Sequence, residues 1–389
     1  MGQEQLLSYQ FGFVMEQNLG HRTHYRNLLR YVRTDPTVAA TWLPIEFETD
    51  TWHGRVPGIS QNWTARASLQ AWSAVRGAMK STPLDGVFYH TQVTALLAQF
   101  HPKLPAIISL DATPINYDSV GTFYGHRTGG LSEKAKFAAN RRAFDHAEAL
   151  VTWCQWAKDS LIHDYRIEKE RISVIPPGVD LSQWPRHTGY DRVRASSERL
   201  PRLLFVGGDF ERKGGNILLE SFHKALRGRC ELSIVTQSPV TPAPDIHVYK
   251  NVTPNSDTLL RLYADADIFV FPTLADCAPL AVPEAMAASL PVVTTHVGAI
   301  SEMVRHGREG YLLRPGDVDA LTESLEHLLA EPDTRARMGD AARLRAEAEH
   351  DAQRNAHRLL GVLKSATDAT HRLPEVRWED SIVAVESPD

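Results

Sequence analysis

The sequence predicts an α/β protein that contains two doubly wound parallel sheets. Short apolar runs alternate with amphipathic helical segments along most of the chain, which is the pattern of β-α-β units. The chain has 389 residues, more than one hydrophobic core usually serves. The alternation stops in a polar stretch near the middle and then restarts. We therefore expect two Rossmann-like domains that face each other across a cleft.

Composition and charge exclude several classes of protein. Hydrophobic residues make up 43% of the chain and charged residues 23%, which is ordinary for a soluble globular protein. The formal net charge is -5, so the basic excess of a nucleic-acid-binding protein is lacking and no nucleic-acid partner is expected. Residues 1–195 carry 21 basic and 18 acidic side chains, whereas residues 196–389 carry 21 and 29. This uneven split suggests that the two halves differ in their tasks.

Cysteine use and hydropathy indicate a cytoplasmic protein. The three cysteines form no CxxC pair, so neither a disulfide framework nor a zinc site is predicted. The N-terminus has no basic segment followed by an apolar stretch, so we expect no signal peptide. No apolar run approaches the roughly 18 residues that a membrane-spanning helix needs. Contact with the cytoplasmic face of a membrane stays open as an alternative.

The N-terminal domain is predicted over residues 1–180. Its strands are Tyr9–Val14, Val38–Leu43, Gly86–Tyr89, Ala106–Leu110, Ala149–Trp153 and Ile172–Ile175. Its helices are Thr23–Tyr31, Thr64–Met79, Thr91–Phe100, Ser132–His146 and Trp156–Asp164. The last strand ends at a Pro-Pro-Gly run over residues 176–178, because proline and glycine interrupt regular structure.

A polar stretch over residues 181–200 is typical of an interdomain linker, and the second domain is predicted over residues 201–365. Its strands are Arg202–Val206, Glu231–Thr236, Ile246–Lys250, Asp267–Phe271 and Pro291–Thr295. Its helices are Asn216–Leu226, Ser256–Ala264, Pro283–Ala288, Val318–Leu329 and Thr334–Lys364. Residues 366–389 lack a helical period. They are predicted as a tail, either a strap that packs back on the N-terminal domain or a disordered segment.

A glycine-rich loop follows the strand Arg202–Val206. It contains Gly207-Gly208, then Arg212-Lys213, then Gly214-Gly215. Glycines let backbone N–H groups approach an anion, and the two cations favour a diphosphate beside them. The loop fits neither the Walker A nor the GxGxxG pattern, so it does not predict an ATPase or a dinucleotide enzyme. A glycine-rich turn with exposed charges is an equally good interpretation of this loop alone.

Two carboxylates stand eight residues apart after the strand that ends at Phe271. Asp276 lies on the loop, from which it can reach sugar hydroxyls, and Glu284 lies at the start of the next helix. The helix dipole stabilises a carboxylate there, and such a carboxylate can accept both hydroxyls of a ribose. The alternative is that Glu284 only caps its helix.

Several segments in order now make the second half resemble the donor domain of family-4 glycosyltransferases with the GT-B fold. The most distinctive is Glu284-Ala285-Met286-Ala287-Ala288-Ser289-Leu290-Pro291-Val292-Val293. It is followed by Val297-Gly298-Ala299-Ile300-Ser301-Glu302-Met303-Val304, by Gly310-Tyr311-Leu312-Leu313 and by Pro315-Gly316-Asp317. Upstream, residues 177–180 resemble the domain junction of that family. The likeness is strong over about residues 150–365 and loose before them.

The resemblance implies a retaining enzyme that moves a sugar from a nucleotide-diphosphate sugar to an acceptor hydroxyl, with no required metal or cofactor. It implies that Lys213 binds phosphate, that Asp276 holds the transferred sugar and that Glu284 holds the ribose. The remaining donor-binding candidates are Gly207, Gly208, Arg212, Ala278, Leu280 and Ala281. The acceptor stays open as a small molecule, a lipid-linked molecule or a saccharide, and the oligomeric state is not predicted.

This sequence departs from the family pattern at five positions. Gly208 stands where the family usually has arginine, and Arg212 is the candidate to replace that charge. Asp276 is one methylene shorter than the usual glutamate. Ala278-Pro279 replaces the usual Phe-Gly, and Pro279 has no N–H to donate. Ser289 stands where the family usually has glycine.

The acceptor half offers fewer signals. Gly20 and His21 follow the first strand, where similar enzymes place a loop that faces donor phosphate and acceptor. Asp111 follows another strand, where similar enzymes often have a sugar-binding histidine, so it is a catalytic candidate beside Lys213 and Asp276. The alternative for Asp111 is a residue that caps the next turn. His90 is a further candidate at a strand end, and a structural histidine is its more common interpretation.

The sequence also contains one basic segment, and it leaves two alternative functions open. The segment from His126 to His146 is basic, which is typical of a solvated helix face and less often of a surface for anionic lipid or a phosphorylated acceptor. A GT-B nucleotide-sugar 2-epimerase or phosphorylase is the second functional hypothesis. A non-catalytic GT-B protein that binds nucleotide or a partner is the third.

Overall fold

The computed structural model describes residues 9–17, 20–46, 62–101, 104–121, 130–184, 188–196 and 199–372. These residues form two six-stranded sheets in which the paired strands are all parallel. Helices cover both faces of each sheet, which is why most strand residues are buried apolar ones. The expected doubly wound architecture with two Rossmann-like domains is confirmed.

The first sheet has the order β2-β1-β3-β4-β5-β6. Its strands are β1 (Tyr9–Glu16), β2 (Val38–Ile45), β3 (Gly86–His90), β4 (Ala106–Leu110), β5 (Ala149–Thr152) and β6 (Ile172–Val174). Its helices are α1 (His21–Val32), α2 (Trp63–Ser81), α3 (Gln92–Ala95), α4 (Pro114–Ser119), α5 (Leu131–His146) and α6 (Gln155–His163). Short 3₁₀ turns lie at Ala98–Phe100 and Lys169–Arg171.

The second sheet has the order β12-β11-β10-β7-β8-β9. Its strands are β7 (Arg202–Val206), β8 (Glu231–Val235), β9 (Ile246–Tyr249), β10 (Ile268–Phe271), β11 (Val292–Thr295) and β12 (Gly310–Leu313). The helices that follow α6 in the chain are α7 (Gly189–Ser196), α8 (Gly215–Ser221), α9 (Asp257–Asp265), α10 (Ala281–Ala287), α11 (Ile300–Met303), α12 (Val318–Ala330), α13 (Pro332–Glu349) and α14 (Ala352–Arg372). One π turn, Phe222–Leu226, extends α8.

Two of the predicted helices are wrong in their extent. The segment Thr91–Phe100 is not one helix, because α3 ends at Ala95 and a separate 3₁₀ turn follows. Thr91, at its start, has a positive φ of 77°, which a helix interior does not allow. The segment Thr334–Lys364 is also divided, since α13 ends at Glu349 and α14 begins at Ala352.

The break between α13 and α14 is where the chain returns to the first domain. There Val179 N donates to His350 O over 2.7 Å, and Ala352 N donates to Val179 O over 3.0 Å. The two crossings of the chain therefore run side by side. Gly178 is required at this point, because a Cβ would overlap the backbone of Ala352.

Helix α14 completes the first domain. Its apolar side packs on the first sheet and on α1, in a buried cluster that includes Phe11, Phe13, Phe88, Leu359 and Leu363. The helix continues to Arg372, so the expectation of a non-helical tail from residue 366 is wrong over residues 366–372. The rest of that tail, residues 373–389, lies outside the described residues.

The polar stretch that resembled a linker contains α7. This helix packs against α13, and Gly189 lies so close to Ala336 that a Cβ would overlap its carbonyl group. Arg192 is buried and donates to the carbonyl oxygens of Ala264, Ala266 and Ala288. Its charge is thus satisfied inside the second domain rather than by solvent. The positions of the domain boundaries themselves stay a prediction.

Candidate active site

The carboxyl ends of both sheets face a common cleft, and charge acts across it. Asp111 follows β4 of the first sheet and Asp276 follows β10 of the second. Burial raises the pKa of Asp111, and the negative charge of Asp276 raises it further, whereas His21 lowers it. Asp111 and Asp276 therefore interact electrostatically across the cleft.

The glycine-rich loop after β7 packs tightly on the loop after β10. Gly214 has a φ of 78°, in the left-handed region, and a Cβ there would overlap the carbonyl oxygen of Pro272. A Cβ on Gly215 would overlap the ring of Phe210. These two glycines are therefore explained by close packing, and that packing fixes where Lys213 lies.

Lys213 is the central cation of the second wall. Its Nζ forms an ion pair with Asp276 and lies 5.3 Å from the centre of the Phe271 ring. Burial lowers the pKa of Lys213, and the Asp276 carboxylate opposes that change. A cation held in this way has lost most of its hydration and is ready to meet an anion of a ligand.

Arg212 holds the two loops together. Its guanidinium donates to Asp209 over 3.0 Å and to the carbonyl oxygen of Ala275 over 2.8 Å. The backbone adds a further link, since Leu274 N donates to Arg212 O over 2.9 Å. The charge of Arg212 is thus partly balanced by Asp209. Gly207 and Gly208 lie beside this arrangement, with Gly208 exposed and the Cα of Gly207 against the Lys213 side chain.

Glu284 lies in the first turn of α10 and is 5% exposed. Burial raises its pKa to about 7, and the hydroxyl of Tyr263, which donates to Glu284 over 3.0 Å, limits the rise. The alternative that Glu284 only caps its helix is wrong: α10 begins earlier, at Ala281, and shows no side-chain cap. Its carboxylate therefore has another role than holding the helix end.

Residues 297–304, which resemble a motif of the family, hold the loop between Asp276 and α10. Ala299 N donates to Cys277 O over 2.8 Å, and Gly298 has a φ of 52°. A Cβ on Gly298 would overlap the carbonyl oxygen of Asp276. Ala278, Leu280 and Ala281, which were predicted to contact the donor, lie on this same loop and at the start of α10.

Ser289 shows how one departure from the family pattern is accommodated. It follows α10 with a φ of 58°, in the left-handed region that glycine adopts without strain. Its carbonyl oxygen lies against Gly339 of α13, where a Cβ would overlap it. The backbone thus keeps the conformation that a glycine would have, at some conformational cost to serine.

Asp111 is held by Tyr117 in the first wall. The Tyr117 hydroxyl lies 2.9 Å and 3.0 Å from the two carboxylate oxygens. The alternative that Asp111 caps the next turn is wrong, because Thr113 caps α4 through Asn116. Tyr117, which the sequence analysis missed, is the residue that orients Asp111. Its spacing of six residues from Asp111 gave no specific signal.

A cluster of histidines and one tryptophan forms the rest of this wall. His21 Nδ1 lies 3.3 Å from His90 Nε2, and the rings of His90 and Trp153 are stacked at 5.7 Å. His24 packs against both of these rings. Burial lowers the pKa of His24 to about 3 and holds that of His90 well below its usual value. These two histidines are therefore neutral at physiological pH.

The predicted residues of the first wall differ in their positions. His21 lies at the surface of the cleft with its Nε2 3.9 Å from Glu16, whereas His90 is fully buried behind it. Gly20 precedes α1, and a Cβ there would meet no atom within 4 Å, so close packing does not require glycine. Glu16, at the end of β1, accepts a hydrogen bond of 2.6 Å from Thr91. Glu16, His24 and Trp153 were not among the site residues predicted from the sequence.

One carboxylate of the second domain caps a helix of the first. Both oxygens of Glu302 accept hydrogen bonds of 2.7 Å, from Gln155 N and Trp156 N at the start of α6. Such a charge-assisted cap satisfies two N–H groups that a helix start leaves unpaired. It joins the two walls beside Trp153 and Cys154.

Other predictions fall on the outer surface or beyond the described residues. Of the basic segment, His126 and Arg127 lie outside the described residues, while Lys134, Arg141 and Arg142 are exposed on α5. Among the helices that the structure describes, none has both the length and the apolar character needed to cross a membrane.

Comparison with known families identifies the chain. Residues 20–183 match the family model described as Glycosyltransferase Family 4, and residues 200–331 match the model described as Glycosyl transferases group 1. The chain belongs to the family-4 glycosyltransferases. Its two parallel sheets have the arrangement of the GT-B fold that the sequence motifs predicted.

Curated relatives of this glycosyltransferase carry names of sugar-transferring enzymes. A D-inositol 3-phosphate glycosyltransferase of an Arthrobacter species is 28% identical over 256 residues, which is 60% of this chain and 60% of that protein. An MMP alpha-(1->4)-mannosyltransferase of Mycolicibacterium hassiacum is 28% identical over 228 residues, which is 56% of this chain and 54% of that protein. The glycosyltransferase thus spans little more than half the length of such relatives.

Solved structures show the same fold across nearly the whole chain. Sucrose-phosphate synthase from Thermosynechococcus elongatus is 14% identical, with a TM-score of 0.76, and the match covers 93% of this chain and 100% of that one. Anabaena HepE in complex with UDP and glucose is 14% identical, with a TM-score of 0.66, and the match covers 92% and 100%. At these identities the likeness concerns the fold alone.

Proposed function

We propose that this glycosyltransferase moves a sugar from a nucleoside-diphosphate sugar to an acceptor hydroxyl, with retention at the anomeric carbon and without an obligatory metal ion. The observation that carries the proposal is the wall formed by Lys213, Asp276 and Glu284, whose Asp276 interacts electrostatically with Asp111 of the first domain. This set offers one buried cation and two buried carboxylates at the ends of parallel strands, where ligands of such sheets bind.

The three groups match the three parts of a nucleotide sugar. Lys213, with Arg212 beside it, supplies fixed positive charge for the diphosphate. Glu284 is an acceptor-only group when ionised, and it suits the two hydroxyls of a ribose. Asp276, on the loop between them, is placed for hydroxyls of the transferred sugar. That HepE was solved with UDP and with UDP-glucose agrees with this donor class.

The chemical step needs stabilisation of a leaving diphosphate. As the bond from the anomeric carbon to the phosphate oxygen breaks, the bonding electrons stay on the oxygen, and Lys213 stabilises the negative charge that develops there. The acceptor oxygen forms its bond to the same carbon on the same face, and its proton passes to the departing phosphate oxygen. Fixed side-chain cations thus perform the neutralisation for which other enzymes use a metal ion.

The first wall positions the acceptor side of this step. Asp111, with its raised pKa and its hydrogen bond from Tyr117, is placed to accept a hydrogen bond from a hydroxyl of the sugar or of the acceptor. His21 lies beside it at the cleft surface, oriented by His90. The names of the relatives, which include inositol 3-phosphate and a mannosyl transfer, support a hydroxylated acceptor of small size. We expect the reaction to occur in the cytoplasm.

The test is a donor screen followed by analysis of the product. Purified protein is incubated with UDP-, GDP-, ADP- and TDP-sugars, and release of nucleoside diphosphate is measured with and without a chelator. We expect release of nucleoside diphosphate with one class of donor, and the same rate of release with and without the chelator. NMR should show that the anomeric configuration of the product is the same as that of the donor. Inverted product, or loss of activity with the chelator, would contradict the corresponding part of the proposal.

The same screen separates the other functions. A 2-epimerase would change the donor sugar in the absence of any acceptor, and a phosphorylase would form a sugar phosphate from inorganic phosphate. A protein that only binds nucleotide would show a thermal shift with a donor and no turnover. Each of these results would overturn the transfer reaction.

A further inference from the structure

The described residues of the first domain surround a cavity of about 690 Å³ beside the cleft. It lies between the start of α2, the segment around α3, the first residue of α4 and the exposed side of α5. Its volume is in the range of sites that hold small organic molecules. Glu16, His21 and Tyr117 belong to both the cavity and the cleft wall, so the two spaces share one boundary.

The outer walls of this cavity are largely apolar. They include Trp63, Val93, Leu96, Ala135 and Ala139. Trp63 is 47% exposed, and its side chain lines the cavity. The two alanines project from one side of α5, where longer side chains would fill the space. A flat ring between Trp63 and this side of α5 would cover both surfaces.

One buried polar group in the cavity needs a donor. Gln92 is 5% exposed, and within the described part of the chain its Oε1 has no hydrogen-bond partner. A buried acceptor without a partner costs free energy that a hydroxyl or amide of a ligand would recover. Glu16, in contrast, already accepts from Thr91, and Tyr117 already donates to Asp111.

The charges around the cavity do not suit a phosphate. Lys136 lies 3.6 Å from Asp118 and 3.5 Å from Glu133, so two carboxylates balance its ammonium group. His21 lies 3.9 Å from Glu16. Among the described lining residues, each cationic or potentially cationic group therefore has a carboxylate next to it, and a dianion would meet repulsion.

We propose that this cavity binds the acceptor, and that the acceptor is an uncharged, hydroxylated aromatic or alicyclic compound. Its ring system lies against Trp63 and the alanines of α5, and one hydroxyl donates to Gln92 Oε1. A second hydroxyl, at the boundary that Glu16, His21 and Tyr117 form, is the one that receives the sugar. This inference rests on the proposed transfer reaction and names the class of its acceptor.

Binding measured without any donor tests the cavity independently of the reaction. The probes are naphthalene-2,6-diol and biphenyl-4,4′-diol, phenols with one hydroxyl at each end, compared with inositol 3-phosphate, by calorimetry on the full chain. Ala139→Trp would fill the cavity, and we expect it to weaken binding of both phenols by about tenfold or more. Ala138→Trp is the matched control, since Ala138 is exposed on the same helix and is not among the described lining residues.

A second readout shows that the variants fold and keep the donor site. Ala139→Trp should still bind nucleotide, and it should still hydrolyse the donor at the slow rate of the wild-type protein. Its rate of sugar transfer to the phenols should fall. Tighter binding of inositol 3-phosphate than of the phenols would overturn the acceptor class. No binding of either phenol, or equal binding by both tryptophan variants, would overturn the cavity. If the wild-type protein bound no nucleotide-sugar donor, that result would instead contradict the proposed function.

Discussion

The two walls of the cleft are built on different physical principles. The second-domain wall is a set of buried charges, with Lys213 paired to Asp276 and Glu284 held by Tyr263. The first-domain wall consists mainly of packed rings, in which His90 and Trp153 stack behind His21, beside the carboxylates of Asp111 and Glu16. Both walls lie at the carboxyl ends of similar parallel sheets.

The difference follows from what each wall is proposed to bind. Every nucleoside-diphosphate sugar has a diphosphate and a pentose, so similar arrangements of charges serve many donors. Acceptors share only a hydroxyl, and the rest of the pocket must match a particular molecule. A wall of rings and apolar side chains, with few fixed charges, gives shape selectivity without a strong field. The predictions below alter one wall at a time.

The largest effect is expected from the cation of the second wall. Lys213→Met should lower the transfer rate by about 10³-fold, because a preorganised positive group at the leaving phosphate is lost. It should also destabilise the fold, since Asp276 becomes a buried carboxylate without a cation. Turnover and thermal unfolding measure these effects.

A double variant separates the two consequences of that substitution. Lys213→Met with Asp276→Asn removes both charges, so stability should recover while activity stays low. Lys224→Met is the control, since Lys224 forms an exposed ion pair with Asp319 on the same domain. Activity of the double variant near the wild-type level would contradict a role for Lys213 in the transfer step.

The next effect concerns Glu284. Its folded-state pKa of about 7 lies above the ordinary value of 4.5, so its ionisation lowers stability as the pH rises from 4.5 through 7. Glu284→Gln should therefore stabilise the unliganded protein by about 2 kcal/mol at pH 8 and change it little at pH 5. The same variant should bind nucleotide about tenfold more weakly at pH 8.

Thermal unfolding and nucleotide titration at both pH values check this pair of effects. A variant that is less stable than the wild type at pH 8 would show that Glu284 is not held in a destabilising environment. Unchanged nucleotide affinity would show that the carboxylate does not contact the ribose.

A change of pH should act on the two walls in opposite directions. The pKa of His24 is lowered to about 3, so its contribution to stability is full above pH 6.5 and is lost as the pH falls toward 3. His90 behaves in the same way. At pH 5 the neutral His24 should cost about 2 kcal/mol and the neutral His90 should add to that cost, whereas protonation of Glu284 should stabilise its own wall.

Hydrogen exchange resolves the two walls by peptide, once intrinsic exchange rates are taken into account. Between pH 7.5 and pH 5, protection around β3 and α1 should fall, and protection around α10 should rise. His24→Gln should reduce the loss of protection around β3 and α1, and Glu284→Gln should reduce the gain of protection around α10. Parallel changes in both walls would contradict the contrast between them.

The smallest effect concerns the link between the walls. Glu302→Gln keeps the size of the side chain but removes the charge that accepts from the start of α6. We expect a loss of about 1 kcal/mol in the free energy of unfolding, the usual value of a helix cap. Glu326→Gln, which alters an exposed ion pair with Arg229, should cost less. Equal losses in both variants would show that the cap contributes nothing specific.

The sequence predicted the alternation of strands and helices well, because apolar periodicity directly reflects burial on a sheet. It failed where long-range contacts decide the local structure. No helix was predicted within residues 181–200, yet α7 lies there, with Arg192 buried among three carbonyl groups. The break at residues 350–351 has no glycine or proline to signal it, and it depends on pairing with Val179.

In the candidate site, too, the sequence predicted some residues, and others depend on contacts between distant segments. Lys213, Asp276 and Glu284 were found because they follow predicted strands at spacings that the family shares. Tyr117 and Glu16 were missed, because an ordinary tyrosine and an ordinary strand-end glutamate become site residues only when distant segments fold together. The roles of the three second-wall residues are what the variants above test.

The position of α14 also determines the order in which the enzyme can mature on the ribosome. Residues 352–372 cover the first sheet, yet they are translated after the whole of the second sheet. The nascent first domain must therefore leave Phe11, Phe13 and Phe88 without this cover while the donor domain is made and folds. The earlier core is therefore completed only after residues 352–372 have left the exit tunnel.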